Sequence, residues 1–211
     1  MTRRVKIISK RDVFKKFIFR IEEVNLSHEM YDGTMSKELV RLSLDRGDSV
    51  AVVLHDTQNN LLLFTEQFRY ATYDKGPGWI LEIPAGMIKK NEAPDKAMKR
   101  ELEEETGFSV KQLYSIGRFY VSPGGTSEMI YLFYAGITPD DQTSAGGGVA
   151  LEGEDIKTVS LGMTEVERRI DAGEFEDAKT LVGLQWFLMN RHKLVSLHNL
   201  ADGQTPDAQQ P

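Results

Sequence analysis

Residues 86–108 run Gly86-Met87-Ile88-Lys89-Lys90-Asn91-Glu92-Ala93-Pro94-Asp95-Lys96-Ala97-Met98-Lys99-Arg100-Glu101-Leu102-Glu103-Glu104-Glu105-Thr106-Gly107-Phe108. Residues 94–106 read as a helix. Pro94 suits its first turn, where no N–H is needed, and Gly107 suits the position just past its end. Glu101, Glu104 and Glu105 stand at i, i+3 and i+4 and so share one face. Met98 and Leu102 lie on an adjoining face and can anchor the helix in a core. Like charges at this spacing oppose helix formation by ~0.2–0.5 kcal/mol per pair. A solvated acidic face tolerates that cost, so the stripe alone decides little and its surroundings decide more.

Working outward, strand and helix signals alternate. Residues 35–44 and 49–56 read as strands, as does 61–68 ahead of Arg69. Residues 79–83 form a short strand stopped by Pro84. On the other side, 112–121 and 128–135 are strand-like, separated by Ser122-Pro123-Gly124-Gly125, and 156–161 is another strand. A helix starting at Thr164 is expected to use Thr164 and Glu167 as a capping box. A last helix runs from about Lys179 to His192. Many strands around one central helix predict an α/β or α+β sandwich. The first 45 residues are strand-rich: Phe17, Phe19 and Ile21 alternate with Ile18, Arg20 and Glu22. We therefore expect an N-terminal β-sheet subdomain over 1–45, a main domain over 46–195 and a polar, disordered tail over 196–211.

The chain has 211 residues, 40% apolar and 27% charged, which is ordinary for a globular protein. Lys and Arg number 26 against 32 Asp and Glu, a net charge of −6. That balance argues against a general nucleic-acid binder. It also means that a phosphate ligand would call for a divalent cation. There are no cysteines, which excludes disulfides, thiolate metal sites and a Cys nucleophile. No apolar run approaches the ~20 residues of a membrane helix. No long apolar stretch follows the basic start, so a cytoplasmic protein is expected. Residues 1–20 hold eight Lys or Arg and one acid, Asp12. They read either as the solvated face of strands or as a basic arm for phosphates.

Taken whole, residues 86–108 follow the spacing Gly-x5-Glu-x7-Arg-Glu-Leu-x-Glu-Glu-x-Gly-Phe. Counting only its seven non-apolar letters (Gly86, Glu92, Arg100, Glu101, Glu104, Glu105 and Gly107) at roughly one in fifteen each, the pattern recurs by chance about once in 10^8 windows. The stretch matches the Nudix box at every specified position, and the chain resembles the Nudix hydrolases. A calcium loop is the competing assignment, but its Asp-x-Asp-x-Asp-Gly spacing is absent. Beyond the box, Glu66-Gln67-Phe68-Arg69-Tyr70, Leu81-Glu82-Ile83-Pro84-Ala85-Gly86 and Ser122-Pro123-Gly124-Gly125-Thr126-Ser127-Glu128 resemble the ADP-ribose pyrophosphatase branch. Ala145-Gly146-Gly147-Gly148-Val149, Glu154-Asp155-Ile156 and Ala178-Lys179-Thr180-Leu181 resemble the GDP-mannose pyrophosphatase branch somewhat more. The resemblance covers about residues 48–190.

The resemblance implies a Nudix-type α/β/α sandwich with a mixed sheet, beside the small N-terminal antiparallel sheet. It implies hydrolysis of the P–O–P bond of nucleoside diphosphate sugars, ADP-ribose first and GDP-mannose close behind. It also implies two or more Mg2+ ions, with Mn2+ as a substitute. Hard carboxylate and carbonyl oxygens suit such ions, which lower the pKa of an attacking water. The implied metal ligands are the Ala85 carbonyl, Glu101, Glu105 and Glu154, with Glu104 close by. Arg100 and Glu92 would be supporting residues, and Gly86 would free the loop to fold back on the helix. Arg69, Glu82, Gly124 and Glu128 would lie near substrate or metal. Arg69 also fits a surface cation at a strand end, and Gly124-Gly125 also fits a tight turn.

The Gly146 to Asp155 loop resembles a lid that brings a carboxylate to the metals and a base to water. Glu152 is the better candidate base and Glu154 the better ligand, though the two could exchange roles. The family also implies a homodimer that exchanges its N-terminal sheets; from the net charge and the apolar runs, no nucleic-acid or membrane partner is expected. Two rivals stand beside this reading. One is a non-catalytic Nudix nucleotide sensor, whose usual sign would be a broken box. The other is a Nudix enzyme acting on capped RNA or nucleoside triphosphates.

Overall fold

The structure is a computed structural model that describes residues 3–201, with side chains for residues 3–194. The chain divides into two compact units. One takes in the N-terminal residues up to Ser49 together with Phe119–Ile130; the other takes in Val50–Arg118 and the chain from Tyr131 onward.

In the first unit, β1 (Val5–Lys16), β2 (Phe19–His28) and β3 (Leu39–Asp45) form an antiparallel sheet in that order. Lys16 pairs with Phe19, so the chain reverses at Phe17-Ile18, at the start of the alternation over residues 17–22. No Gly, Asn or Asp marks this reversal, and Phe17 adopts a left-handed φ of 53°. Two basic residues of β1 meet acids of β2 across the ladder, Lys10 with Glu22 at 2.9 Å and Arg11 with Glu23 at 2.7 Å. Arg20 reaches Asp45 at 2.6 Å and Asp12 at 3.3 Å. Of the two readings of residues 1–20, this matches a solvated strand face. Each exposed pair contributes little, about 0–1 kcal/mol.

As a compact unit it runs to Ser49 and takes in residues 119–130, and β3 extends its hydrogen bonding to that distant loop. The Leu44 N–H donates to the Gly125 carbonyl at 2.9 Å, and the Ser127 N–H donates back to the Leu44 carbonyl at 3.0 Å. Ser49 Oγ donates to Glu128 Oε1 at 2.7 Å. Nothing in local periodicity marks such a pairing.

The second unit is built on β4 (Ser49–Asp56), in which every residue but His55 is buried. An unbroken apolar run of this kind suits a strand covered on both faces. β5 (Leu61–Phe68) pairs antiparallel with β4 through Leu61–Leu63 and with β6 (Trp79–Glu82) through Thr65–Phe68. β7 (Ala85–Met87) joins β4, and α1 (Pro94–Thr106) follows. β8 (Tyr114–Tyr120), β9 (Met129–Ile137) and β10 (Lys157–Gly162) complete a sheet of order β10-β5-β4-β9-β8. Alternation along β4 sets two layers on this sheet. Val50, Val52 and Leu54 form one cluster with Ala97, Met98 and Leu102 of α1. Val53 faces the opposite way, where a Cβ on Gly183 would stand 2.9 Å from its Cγ2. Gly183 belongs to α3 (Ala178–Ala201), so helices cover both faces. Each fully buried Leu or Phe here contributes about 1.5–3 kcal/mol.

α1 ends as its sequence requires. Gly107 takes a left-handed φ of 77° and returns its N–H to the Glu103 carbonyl at 3.1 Å. α2 (Met163–Asp171) differs from expectation. It starts one residue earlier, at an N-cap Gly162 without a side-chain bond, so Thr164 lies inside the helix and no capping box forms. Glu167 instead accepts from Arg191 Nη1 at 2.7 Å. α3 runs through Ala201, six residues into the stretch expected as a disordered tail. The remainder of that expected tail, 202–211, lies outside the described residues. Among the described residues no helix is long and apolar enough to cross a membrane.

Candidate active site

The helix α1 presents its carboxylates toward the turn that carries Ala85 and Gly86. Glu105 is 3% exposed, and its Oε2 accepts the Ala85 N–H at 3.1 Å. Burial, then the charges of Glu101 and Glu82, push the Glu105 carboxyl up to about 8, against the opposing pull of the Ala85 N–H and Arg69. Glu101 is also pushed up, chiefly by burial and further by the charges of Glu104 and Glu154, while Arg100 pulls it back. Gly86 is required for space rather than freedom. A Cβ there would stand 1.9 Å from Cδ of Glu101.

Arg100 organises the outer part of the stripe. Its Nε and Nη2 grip Glu92 Oε1 and Oε2, both at 2.9 Å. Its Nη1 meets Glu101 at 2.8 Å and Glu104 at 3.0 Å, and Nη2 also donates to the Met87 carbonyl at 3.0 Å. This planar fork offsets the repulsion within the stripe. It also holds the Glu92 carboxyl down to about 2, helped by the Lys89 N–H. Glu92 thus bolts the loop before α1 onto the helix.

A second charged group approaches Glu105 from β5 and β6. Glu82 is 3% exposed; its Oε1 accepts from Arg69 Nη2 at 2.6 Å and Nε at 2.7 Å, and its Oε2 accepts from Lys179 Nζ. Lys179 also meets Asp177 Oδ1 at 3.1 Å. Lys179 and Asp177 carry no role in the sequence reading. The available signal is local: Asp177 caps α3 by accepting from the Thr180 N–H at 2.9 Å and the Thr180 hydroxyl at 2.6 Å.

The glycine loop is tied to the end of α1. The N–H groups of Gly147 and Gly148 donate to the carbonyls of Glu105 and Glu104, both at 2.9 Å. Gly146 and Gly148 have φ of 64° and 83°, and a Cβ on Gly146 would stand 2.6 Å from the Glu105 carbonyl oxygen. The glycines therefore serve close docking of the loop, beyond any mobility. Glu154 Oε2 accepts the Val149 N–H at 2.8 Å. Glu152 ends an exposed turn, Ala150–Glu152, whose Leu151 is fully exposed.

The structure thus gathers Ala85, Glu101, Glu105, Glu82, Arg69 and Glu154 in one electrostatic neighbourhood, with Glu104 joined through Arg100. Glu152 lies two residues before Glu154, in an exposed turn. Gly124 and Glu128 belong to the first unit. There Glu128 accepts from Ser49 and meets Arg46 at 3.6 Å, and Gly124 sits in a tight turn with open space where a Cβ would stand. Among the described residues no three Asp, Glu, His or Cys side chains already form a metal cage. The donor set nonetheless fits a hard divalent cation. It is all oxygen, and burial together with the charge of Glu101 raises the Glu105 carboxyl, a cost that a bound cation would offset.

Comparison with known proteins places these features in a family. A model described as the NUDIX domain matches residues 45–190. The chain belongs to the Nudix family. It is 31% identical over 193 residues to the ADP-ribose pyrophosphatase of Escherichia coli strain K12, covering 90% of each chain. It is 35% identical over 144 residues to the GDP-mannose pyrophosphatase of Enterobacter sp. strain 638, covering 67% of this chain and 74% of that one. A crystal structure described as that of an ADP compounds hydrolase shares the fold, with a TM-score of 0.65 at 20% identity over 95% of this chain and 97% of that chain.

Proposed function

We propose that this chain hydrolyses the pyrophosphate bond of nucleoside diphosphate sugars, with ADP-ribose preferred over GDP-mannose. ADP-ribose would yield AMP and ribose 5-phosphate; GDP-mannose would yield GMP and mannose 1-phosphate. The observation that carries the reading is the buried Glu101–Glu105 pair beside Glu82 and Arg69. The relatives named ADP-ribose and GDP-mannose pyrophosphatase support the substrate class. The intact box supports an enzyme over a nucleotide sensor.

The Ala85 carbonyl, Glu101, Glu105 and Glu154 would hold two or more Mg2+ ions, with Mn2+ as a substitute. Bound there, such ions neutralise the diphosphate and lower the pKa of an attacking water. The chain's own groups do the rest. Arg100 fixes the rotamers of Glu101 and Glu104, so the stripe is organised before substrate arrives. Arg69 carries the cationic group that meets a substrate phosphate, and Glu82 sets its position. Glu152, on its exposed turn, is the base that takes a proton from water, and Glu154 stays with the box. A cytoplasmic site of action is part of this proposal.

A homodimer with exchanged N-terminal sheets completes the proposal. All of β1 is exposed, and Val5, Val40 and Leu42 are 61%, 56% and 57% exposed. So much apolar strand surface in one small sheet is what a protein interface covers. The test of function is a rate comparison across ADP-ribose, GDP-mannose, UDP-glucose, NAD and dGTP, with Mg2+ and with chelator. The highest kcat/KM on ADP-ribose, lost in chelator, is expected. A preference for dGTP would overturn the substrate class.

A further inference from the structure

We propose that Lys179 is a positioning residue that keeps Glu82 paired while Arg69 moves onto a substrate phosphate. The inference rests on the reading of Arg69 as the phosphate-binding group. Glu82 is a buried carboxylate with two cationic partners, one on each oxygen: Arg69 on Oε1 and Lys179 on Oε2. Their exposures differ. The Arg69 side chain is 42% exposed and can reach a ligand, whereas the Lys179 side chain is 11% exposed and faces inward.

Two of the Arg69 nitrogens, Nε and Nη2, are bound to Glu82. Turning this guanidinium toward a phosphate would cost those bonds. If Arg69 were the sole partner, its departure would strand a buried charge, an expensive outcome. Lys179 prevents this, because it stays on Glu82 whichever way Arg69 turns.

Lys179 can do so because its backbone is fixed. Asp177 caps α3 through Thr180 and takes Lys179 Nζ on its other oxygen. The Thr180 hydroxyl oxygen accepts the N–H of Ile83, the residue after Glu82, at 2.9 Å in a buried position. The start of α3 is thus pinned at two adjacent points, Glu82 at the end of β6 and Ile83 just after it.

The experiment is steady-state kinetics on ADP-ribose with Mg2+, with melting curves, for Lys179→Met, Lys179→Arg, Glu82→Gln, Lys179→Met/Glu82→Gln and Arg69→Ala. Lys179→Met should raise KM about tenfold or more, as expected when one partner of a buried charge pair is removed, and change kcat less. Lys179→Arg should hold KM near the wild-type value. With Glu82 neutralised, adding Lys179→Met should leave KM unchanged, because no charge remains to strand. This last comparison carries the test if Lys179→Met alone fails to fold. A loss of kcat at constant KM, or the same rise in KM with Glu82 neutralised, would overturn the proposal. Unchanged KM in Arg69→Ala would overturn the phosphate role of Arg69 and the Lys179 proposal with it. A raised KM there beside an unaffected Lys179→Met would overturn the Lys179 proposal alone.

Discussion

A side chain on Gly86 would place its Cβ 1.9 Å from Cδ of Glu101. The atom it would strike is the far end of a flexible side chain, so the fold can yield by moving that carboxylate. Function cannot yield in the same way, because the site depends on where Glu101 lies. Gly86→Ala is therefore expected to lower kcat by about 10^2, the effect of a misplacement near 1 Å. Its melting temperature should fall by only a few degrees, about 1 kcal/mol at this size. Kinetics and calorimetry on the same preparation check the two together.

The two-point grip of Arg100 on Glu92 gives a stability prediction with a defined sign. Pairing holds the Glu92 carboxyl down to about 2, below the ordinary 4.5. A lowered carboxyl stabilises the fold above its unfolded pKa, and that contribution is lost as pH falls through the folded value. Glu92→Gln should cost about 1–3 kcal/mol at neutral pH. In urea titrations the gap between wild type and Glu92→Gln should stay constant above pH 4.5 and close as pH approaches 2. A gap that widened on acidification would contradict the pairing.

Glu152 and Glu154 lie two residues apart in different surroundings. Glu154 is held by the Val149 N–H and acts on Glu101, whereas Glu152 is exposed. Glu152→Gln is expected to cut kcat by about 10^2 or more, the usual range for a general base, with Mn2+ binding unchanged. Glu154→Gln should instead weaken Mn2+ binding by at least about tenfold. Paramagnetic titration of each variant decides between them, and the reverse pattern would exchange the two roles.

Much of this site was legible because its signals are local. The box fixes Glu101, Glu104 and Glu105 on one helical face, and Gly107 ends that helix by a rule of backbone geometry. The unbroken apolar run of β4 likewise announces a covered strand. What escaped is set by long-range contacts. Lys179 meets Glu82 across 97 residues, and Leu44 finds Gly125 across a similar gap, so neither leaves a periodic trace. The reversal at Phe17-Ile18 was missed for another reason, since neither residue belongs to the usual turn formers. Gly86 was read as freeing the loop; the packing gives a different reason, the space that Glu101 occupies where a Cβ would stand.

The exposed apolar strands predict the oligomeric state. Val40 and Leu42 are two apart on β3 and share a face of its sheet. Val40→Asp with Leu42→Asp should leave the monomer folded, since both side chains are already exposed, and should shift the protein to half the mass in light scattering. A double variant with undiminished mass would remove this face from the proposed dimer.

The most direct measurement is the phosphorus NMR spectrum of ADP-ribose incubated with the protein and Mg2+. The two diphosphate resonances should be replaced by those of AMP and ribose 5-phosphate, and the change should be absent with chelator and with Glu105→Gln. A diphosphate that persists with wild-type protein, or turnover undiminished in Glu105→Gln, would contradict the assignment of the buried glutamates to pyrophosphate hydrolysis.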